Sequence, residues 1–168
     1  MKKTLAIAAA IMTLGSASVM AAPVNQMAAN ETAIGAGSKE QYLEHKITNK
    51  ATLGYEHADR DEYGKDTQDV YLQYDVVGSQ VKLIGGYRWK MPGDNDNAFG
   101  GVAVSTPRVM GLDAYASYVA GKDFNEVQVG LNKNILFNVD LNVNYHNTKL
   151  DGLDHHEHGV GAGLTVKF

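Results

Sequence analysis

Residues 137–147 alternate without interruption: Phe137, Val139, Leu141, Val143 and Tyr145 against Asn138, Asp140, Asn142, Asn144 and His146. Successive side chains of a strand point to opposite faces, so this is a ribbon with one apolar and one polar face. As a helix it would scatter both kinds of residue around the whole circumference. The pattern recurs along the chain. Residues 50–57 set Ala51, Leu53 and Tyr55 against Thr52, Gly54 and Glu56. Residues 67–76 set Val70, Leu72, Tyr74 and Val76 against Asp69, Tyr71, Gln73 and Asp75. Residues 81–90 place Val81, Leu83, Tyr87 and Trp89 opposite Lys82, Arg88 and Lys90. Residues 112–120 place Leu112, Ala114, Ala116 and Tyr118 opposite Asp113, Tyr115 and Ser117. Residues 126–132 place Val127, Val129 and Leu131 opposite Glu126, Gln128, Gly130 and Asn132. Residues 159–168 alternate to the last position. Residues 97–105 are apolar on both faces and carry no orientation. Two shorter segments, 32–36 and 41–47, bring the count to ten strands, with eight as the alternative.

Short strands at regular spacing with turn signals between them predict an all-β sandwich or barrel. Three features favour a closed antiparallel up-and-down transmembrane barrel over residues 31–168. Alternation is nearly unbroken, whereas the edge strands of a sandwich usually interrupt it. The face opposite the apolar one carries Glu56, Asp69, Tyr71, Asp75, Lys82, Arg88, Asp113, Tyr115, Glu126, Asp140, Asn142 and Asn144, which suits a polar lumen and not a buried core. Connections also alternate in length. Those near 48–49, 78–79, 106–110 and 133–135 are short, and those at 58–66, 91–97 and 148–157 are longer, with 121–124 the exception. Short turns at one end and longer loops at the other are the outer-membrane pattern.

Composition agrees. The 168 residues include 18 Gly, 9 Tyr, one Trp, 3 Pro and no Cys, a mixture suited to strands and turns and silent on thiol chemistry. Residues 1–21 read as a secretory signal peptide, with Lys2 and Lys3 before an apolar run from Leu5 to Leu14 and Val19-Met20-Ala21 as the cleavage site. Cleavage after Ala22 is the alternative. Residues 22–30 are polar and irregular, a short periplasmic lead-in. The formal charge of −4 offers no basic footprint for nucleic acid.

The closing run Gly161-Ala162-Gly163-Leu164-Thr165-Val166-Lys167-Phe168, with the leader and the alternating strands, resembles small bacterial outer-membrane β-barrel proteins of the porin-like and opacity-protein kind. That resemblance implies a compartment, and it implies that Phe168 is the signal read by the barrel-assembly machinery. Lipid bilayer and lipopolysaccharide are the implied surroundings. With the chain ending in the periplasm, Tyr55, Tyr87, Trp89, Tyr118 and Tyr145 form an external aromatic girdle, and Tyr74, Phe137 and Phe168 a periplasmic one.

Sites of chemistry are sparse. His155, His156 and His158 offer ligand types for a transition metal, although an exposed histidine loop is more often solvated. Asp94-Asn95-Asp96-Asn97 has the acidic start of a calcium loop without its Gly and distal Glu. Asp59, Asp61, Glu62 and Asp66 form an acidic loop able to hold ions that bridge lipopolysaccharide phosphates. His146 and Asp151 are the only pair suggesting a hydrolase, and no G-x-S-x-G elbow accompanies them. No cofactor and no enzymatic activity are expected. The reading is a narrow porin-like channel, mildly cation-preferring, with a structural or surface-interaction barrel as the alternative.

One register is expected in advance. A two-residue turn at Gly78-Ser79 sets Asp75 opposite Lys82, Asp69 opposite Arg88 and Tyr71 over Gly86, all inward. Gly54, Gly86, Gly130 and the glycines of the last strand are expected to leave gaps in the lumen.

Overall fold

The computed structural model describes residues 23–38, 40–60, 65–91, 96–151 and 156–168. The leader, Asp61, Glu62, Asp94, Asn95, Asp154 and His155 lie outside the described residues. Ten strands follow one another: β1 (Thr32–Gly37), β2 (Glu40–Lys46), β3 (Ala51–Arg60), β4 (Lys65–Val77), β5 (Val81–Trp89), β6 (Asn97–Ser105), β7 (Leu112–Gly121), β8 (Phe124–Leu136), β9 (Val139–Leu150) and β10 (His156–Lys167). Each pairs antiparallel with its sequence neighbours, and β1 pairs with β10 to close the barrel. The eight-strand alternative is excluded. The end carrying residues 28–31 and Phe168 is called proximal below, and the end carrying Ser38, Arg60, Met91, Lys122 and Asp151 distal.

The alternation expands into an inverted molecule. Leu53, Tyr55, Val70, Leu72, Leu83, Val102, Leu131 and Val143 are exposed, whereas Glu44, Thr52, Lys82, Asp113, Gln128 and Asn142 are buried. The residues 97–105 that gave no orientation turn Asn97, Phe99 and Ala103 inward and Val102 and Val104 outward.

Several expected boundaries move. Strands β3 and β4 run to Arg60 and from Lys65, so much of the expected 58–66 loop is wall. The turn expected near 133–135 lies at Phe137-Asn138 instead, because β8 continues to Leu136 through an irregularity between Asn134 and Leu136. Phe137 therefore sits at a turn tip with φ of 28° and is 93% exposed, not on a strand face. Lys90, expected inward, is exposed beyond the end of β5 with φ of 61°.

The β4–β5 register is the one expected: Asp75 opposes Lys82, Asp69 opposes Arg88 and Tyr71 opposes Gly86. The turn is longer than the two residues expected. Residues 78–80 form it, Gly78 adopts φ of 55°, and Val77 opposes Val81. The extra turn residue is compensated by a bulge between Asp75 and Val77, so the register beyond it is unchanged.

Gly54, Gly86 and Gly130 do not leave the gaps expected of them, and Gly35 is filled in the same way. A Cβ on Gly35 would lie 2.2 Å from the Tyr42 ring, on Gly54 2.2 Å from Tyr71, on Gly86 2.5 Å from Phe99, and on Gly130 2.6 Å from Tyr115. Each glycine seats an aromatic ring from the adjacent strand, so large rings fold flat against the wall. Tyr71 thus lies on Gly54, and Phe99 covers the Gly86 that Tyr71 opposes. We expect Gly54→Ala to destabilise the barrel by about 1–3 kcal/mol, because the ring must leave its seat. Urea unfolding in lipid vesicles measures this, and an unchanged midpoint would show that the seat is not tight.

Candidate functional site

The site is the lumen. Among the described residues it holds nine buried carboxylates: Glu40, Glu44, Glu56, Asp69, Asp75, Asp113, Glu126, Asp140 and Glu157. Five buried cations face them: Lys46, Arg60, Lys82, Arg88 and Lys167. Arg108, partly exposed in the turn after β6, adds a sixth. Taking charges out of water is costly unless they are paired, so the pairing decides the barrel's stability.

Distally, Arg88 on β5 donates from Nε and Nη2 to Asp69 on β4, at 2.8 and 2.7 Å, and from Nη1 to Glu126 on β8 at 3.0 Å. Arg60 on β3 donates from Nη2 to the same Glu126 oxygen at 3.0 Å, and Nη1 lies 3.6 Å from Glu157 on β10. In a ring of ten strands β3 and β8 are five steps apart either way, so the Arg60–Glu126 pair crosses the full diameter. The Arg88 guanidinium also lies over Phe124, 4.3 Å from the ring centroid, which shields it from water.

Proximally, Lys46 and Lys82 both hold Asp75. Arg108 binds Asp113 at 2.6 Å and Asp140 at 2.9 Å, and Lys167 binds Asp140 at 2.9 Å. Although partial burial opposes its charge, the Asp113 hydrogen bond and the Asp140 charge raise the Arg108 guanidinium above its ordinary value. Between the two ends, Asn142 donates to Asn132 at 2.7 Å, and Asn144 donates to Asn142 at 3.1 Å. Tyr115 meets Asn142 at 3.1 Å.

The expected lead-in has no strand. From Pro23 to Ala28 it folds up into the proximal mouth. Asn25 donates to Glu44 at 2.8 Å, Asn132 donates to the Val24 carbonyl at 3.2 Å, and Lys167 to the Gln26 carbonyl at 3.0 Å. Val24 packs against Ala103 and Tyr115. Among the described residues a cavity of about 50 Å³ remains, bordered by Val24, Glu56, Asp69, Tyr71, Arg88 and Glu126.

All twelve residues expected to line the lumen point into it: Glu56, Asp69, Tyr71, Asp75, Lys82, Arg88, Asp113, Tyr115, Glu126, Asp140, Asn142 and Asn144. Of the girdle residues, Tyr55 faces outward at mid-strand and Tyr87, Tyr118 and Tyr145 face outward on distal halves of strands, with Trp89 against Tyr87 at 4.9 Å between ring centroids. Tyr74 and Phe168 face outward proximally. His156 and His158 are exposed on β10, and no group of three metal-ligating side chains is found among the described residues. His146 is buried with neither ring nitrogen bonded, while Asp151 is exposed beyond β9, so the two form no pair.

Sequence reasoning missed Glu40, Glu44, Lys46, Arg60, Glu157 and the 23–28 segment. β2 reads Glu-Gln-Tyr-Leu-Glu-His-Lys, polar on both faces, so alternation could not orient it. Arg60 and Glu157 fell within expected loops. The missing signal was parity: Arg60 continues the Thr52, Gly54, Glu56 series, and Glu157 the Gly159, Gly161 series.

An apolar exterior around a charged, hydrogen-bonded interior, on a closed antiparallel sheet, defines the class: a small β-barrel of the outer-membrane type. No family model and no curated protein sequence matches the chain. Among solved structures it is similar to the N-terminal β-barrel domain of Pseudomonas aeruginosa OprF, at 12% identity over 84% of this chain and 100% of that one, with a TM-score of 0.41. It is also similar to the KdgM porin, at 10% identity over 82% and 98%, with a TM-score of 0.49. Neisserial surface protein A shows 15% identity over 82% and 94%, with a TM-score of 0.34.

We expect Glu126→Gln to destabilise the barrel by about 3 kcal/mol, because Arg60 and Arg88 lose the charge they share in a dry lumen. Equilibrium unfolding checks it, and a variant as stable as the parent would contradict the weight given to this carboxylate.

Proposed function

We propose that this chain is an outer-membrane barrel protein whose lumen is a narrow, cation-preferring path for ions or very small solutes. The observation that carries this reading is the surplus of buried carboxylates over buried cations along a closed polar lumen. A low-dielectric tube lined by one excess sign attracts the opposite ion and repels the like one. In the described state the path is nearly filled, so conduction requires side chains or the 23–28 segment to move. The apolar exterior with its aromatic residues suits contact with lipid and lipopolysaccharide, and Phe168 at the end of β10 is the proposed contact for the assembly machinery. Export by a cleaved leader belongs to the same proposal, and catalysis does not.

A second reading is a structural or surface-interaction barrel without transport. The Arg60–Glu126 pair favours it, because an ion pair across the full diameter is a strut before it is a filter.

The refolded protein lacking residues 1–21 should migrate differently on a gel when boiled and unboiled. In a planar bilayer it should give small, picosiemens-scale events with a reversal potential favouring potassium over chloride. Nanosiemens steps or anion preference would overturn the proposal, and a silent bilayer would select the structural reading.

A further inference from the structure

Glu44 is buried and satisfied without a cation. Its Oε1 accepts from the Tyr71 hydroxyl at 3.0 Å and from Gln73 Nε2 at 2.8 Å, and its Oε2 accepts from Asn25 Nδ2 at 2.8 Å. The nearby ammonium groups pair elsewhere: Lys46 and Lys82 are turned to Asp75 and Lys167 to Asp140, and Lys82 and Lys167 act on Glu44 only through space. Two of the three donors belong to the wall, on β4. The third comes from a segment that contributes no strand to the barrel.

That segment can leave without breaking the sheet. Asn30, at φ of 63°, and the Glu31 amide bond to Ala28 turn the chain from the lumen into β1. Beyond the turn, residues 24–26 are held by the packing of Val24 on Ala103 and Tyr115 and by scattered single hydrogen bonds: from Asn132, from Lys167, from Asn25 to the Tyr42 hydroxyl at 3.3 Å, and from Gln26 Nε2 to the Thr106 carbonyl at 2.7 Å. None of these is a ladder. When the segment withdraws, the proximal mouth widens and Oε2 of Glu44 loses the Asn25 donor. A carboxylate freed of that donor beside a water-filled path is hydrated in its place and turns its negative charge to the ions that pass.

We propose that Glu44 is the cation-binding carboxylate of the open lumen, and that Asn25 occupies it as an amide surrogate while residues 23–28 plug the barrel. The ligand class is a small monovalent cation such as potassium, held between Glu44 Oε2 and the Tyr42 hydroxyl oxygen, where Asn25 Nδ2 now sits at 2.8 and 3.3 Å. This inference rests on the channel reading above for its conducting state. The plug itself does not.

The test uses the refolded protein without residues 1–21, carrying Val24→Cys as the single thiol in a chain that has no other. Asn25→Asp sets two carboxylates against each other, and like charges at hydrogen-bond distance should favour the undocked segment by about tenfold or more. Labelling of the thiol at position 24 by a charged reagent should therefore quicken by about that factor. Adding Glu44→Gln to Asn25→Asp should restore slow labelling, because a carboxylate then meets an amide again. Labelling in Asn25→Asp as slow as in the parent, or a double variant as fast as Asn25→Asp, would overturn the plug. In bilayers, deletion of residues 23–28 should raise the potassium current, and Glu44→Gln in that background should lower the potassium-to-chloride permeability ratio several-fold. An unchanged ratio would overturn the role of Glu44. Labelling that follows the expected pattern with no current in any variant would overturn the channel reading and the cation site, and leave the plug contact standing.

Discussion

The structure depends on one problem, which is how to keep charged groups out of water inside a ten-stranded tube. The Arg60–Glu126 pair across the full diameter is the centre of the solution. Each of its partners is held a second time, Arg60 by Thr67 and Thr148, Glu126 by Arg88. A buried pair stabilises only when its remaining donors and acceptors are also satisfied. Here satisfaction draws in six strands, β3, β4, β5, β8, β9 and β10, so the network fixes the barrel's cross-section as well as its charge. The proximal cluster around Asp75, Asp113 and Asp140 does the same at the other end, with Arg108 reaching in from a turn.

Size and charge act together. Ten strands enclose more space than eight, and an eight-strand interior is just filled by side chains. The extra volume is taken up by Tyr42, Tyr71, Phe99, Tyr115 and Phe124, each lying on a glycine of an adjacent strand, and by residues 23–28. The aromatic rings lower the dielectric around Arg88 and Glu126, which strengthens their attraction and raises the cost of leaving either alone. Channel function, on the reading proposed, belongs to the part of this filling that is not built into the sheet.

Much of the architecture was legible from alternation alone. Strand β9 announces itself because over residues 139–146 the inward places, Asp140, Asn142, Asn144 and His146, are polar and the outward ones, Val139, Leu141, Val143 and Tyr145, are apolar. The β4–β5 register was legible because Asp69 and Asp75 can meet Arg88 and Lys82 in only one pairing. Alternation failed where both faces are alike, as in β2, and where an assumed loop interrupted the count, as at Arg60 and Phe137. It also cannot show where a glycine's empty side is used. Gly54 and Gly130 read as gaps because the rings that fill them come from neighbouring strands. The plug was illegible for a different reason. Pro23-Val24-Asn25-Gln26 has no periodicity, and its place follows from partners such as Glu44 and Asn132 that are distant in sequence.

The central claim is that one face of every strand meets lipid and the other a closed polar interior. Nitroxide labels placed singly along residues 139–149 of the protein in bilayers test it most directly. Collision with oxygen, which concentrates in lipid, should rise at Val139, Leu141, Val143 and Tyr145 and fall at Asp140, Asn142, Asn144 and His146. Accessibility to oxygen without this alternation, or equal access of a water-soluble relaxing agent to both sets, would contradict the account.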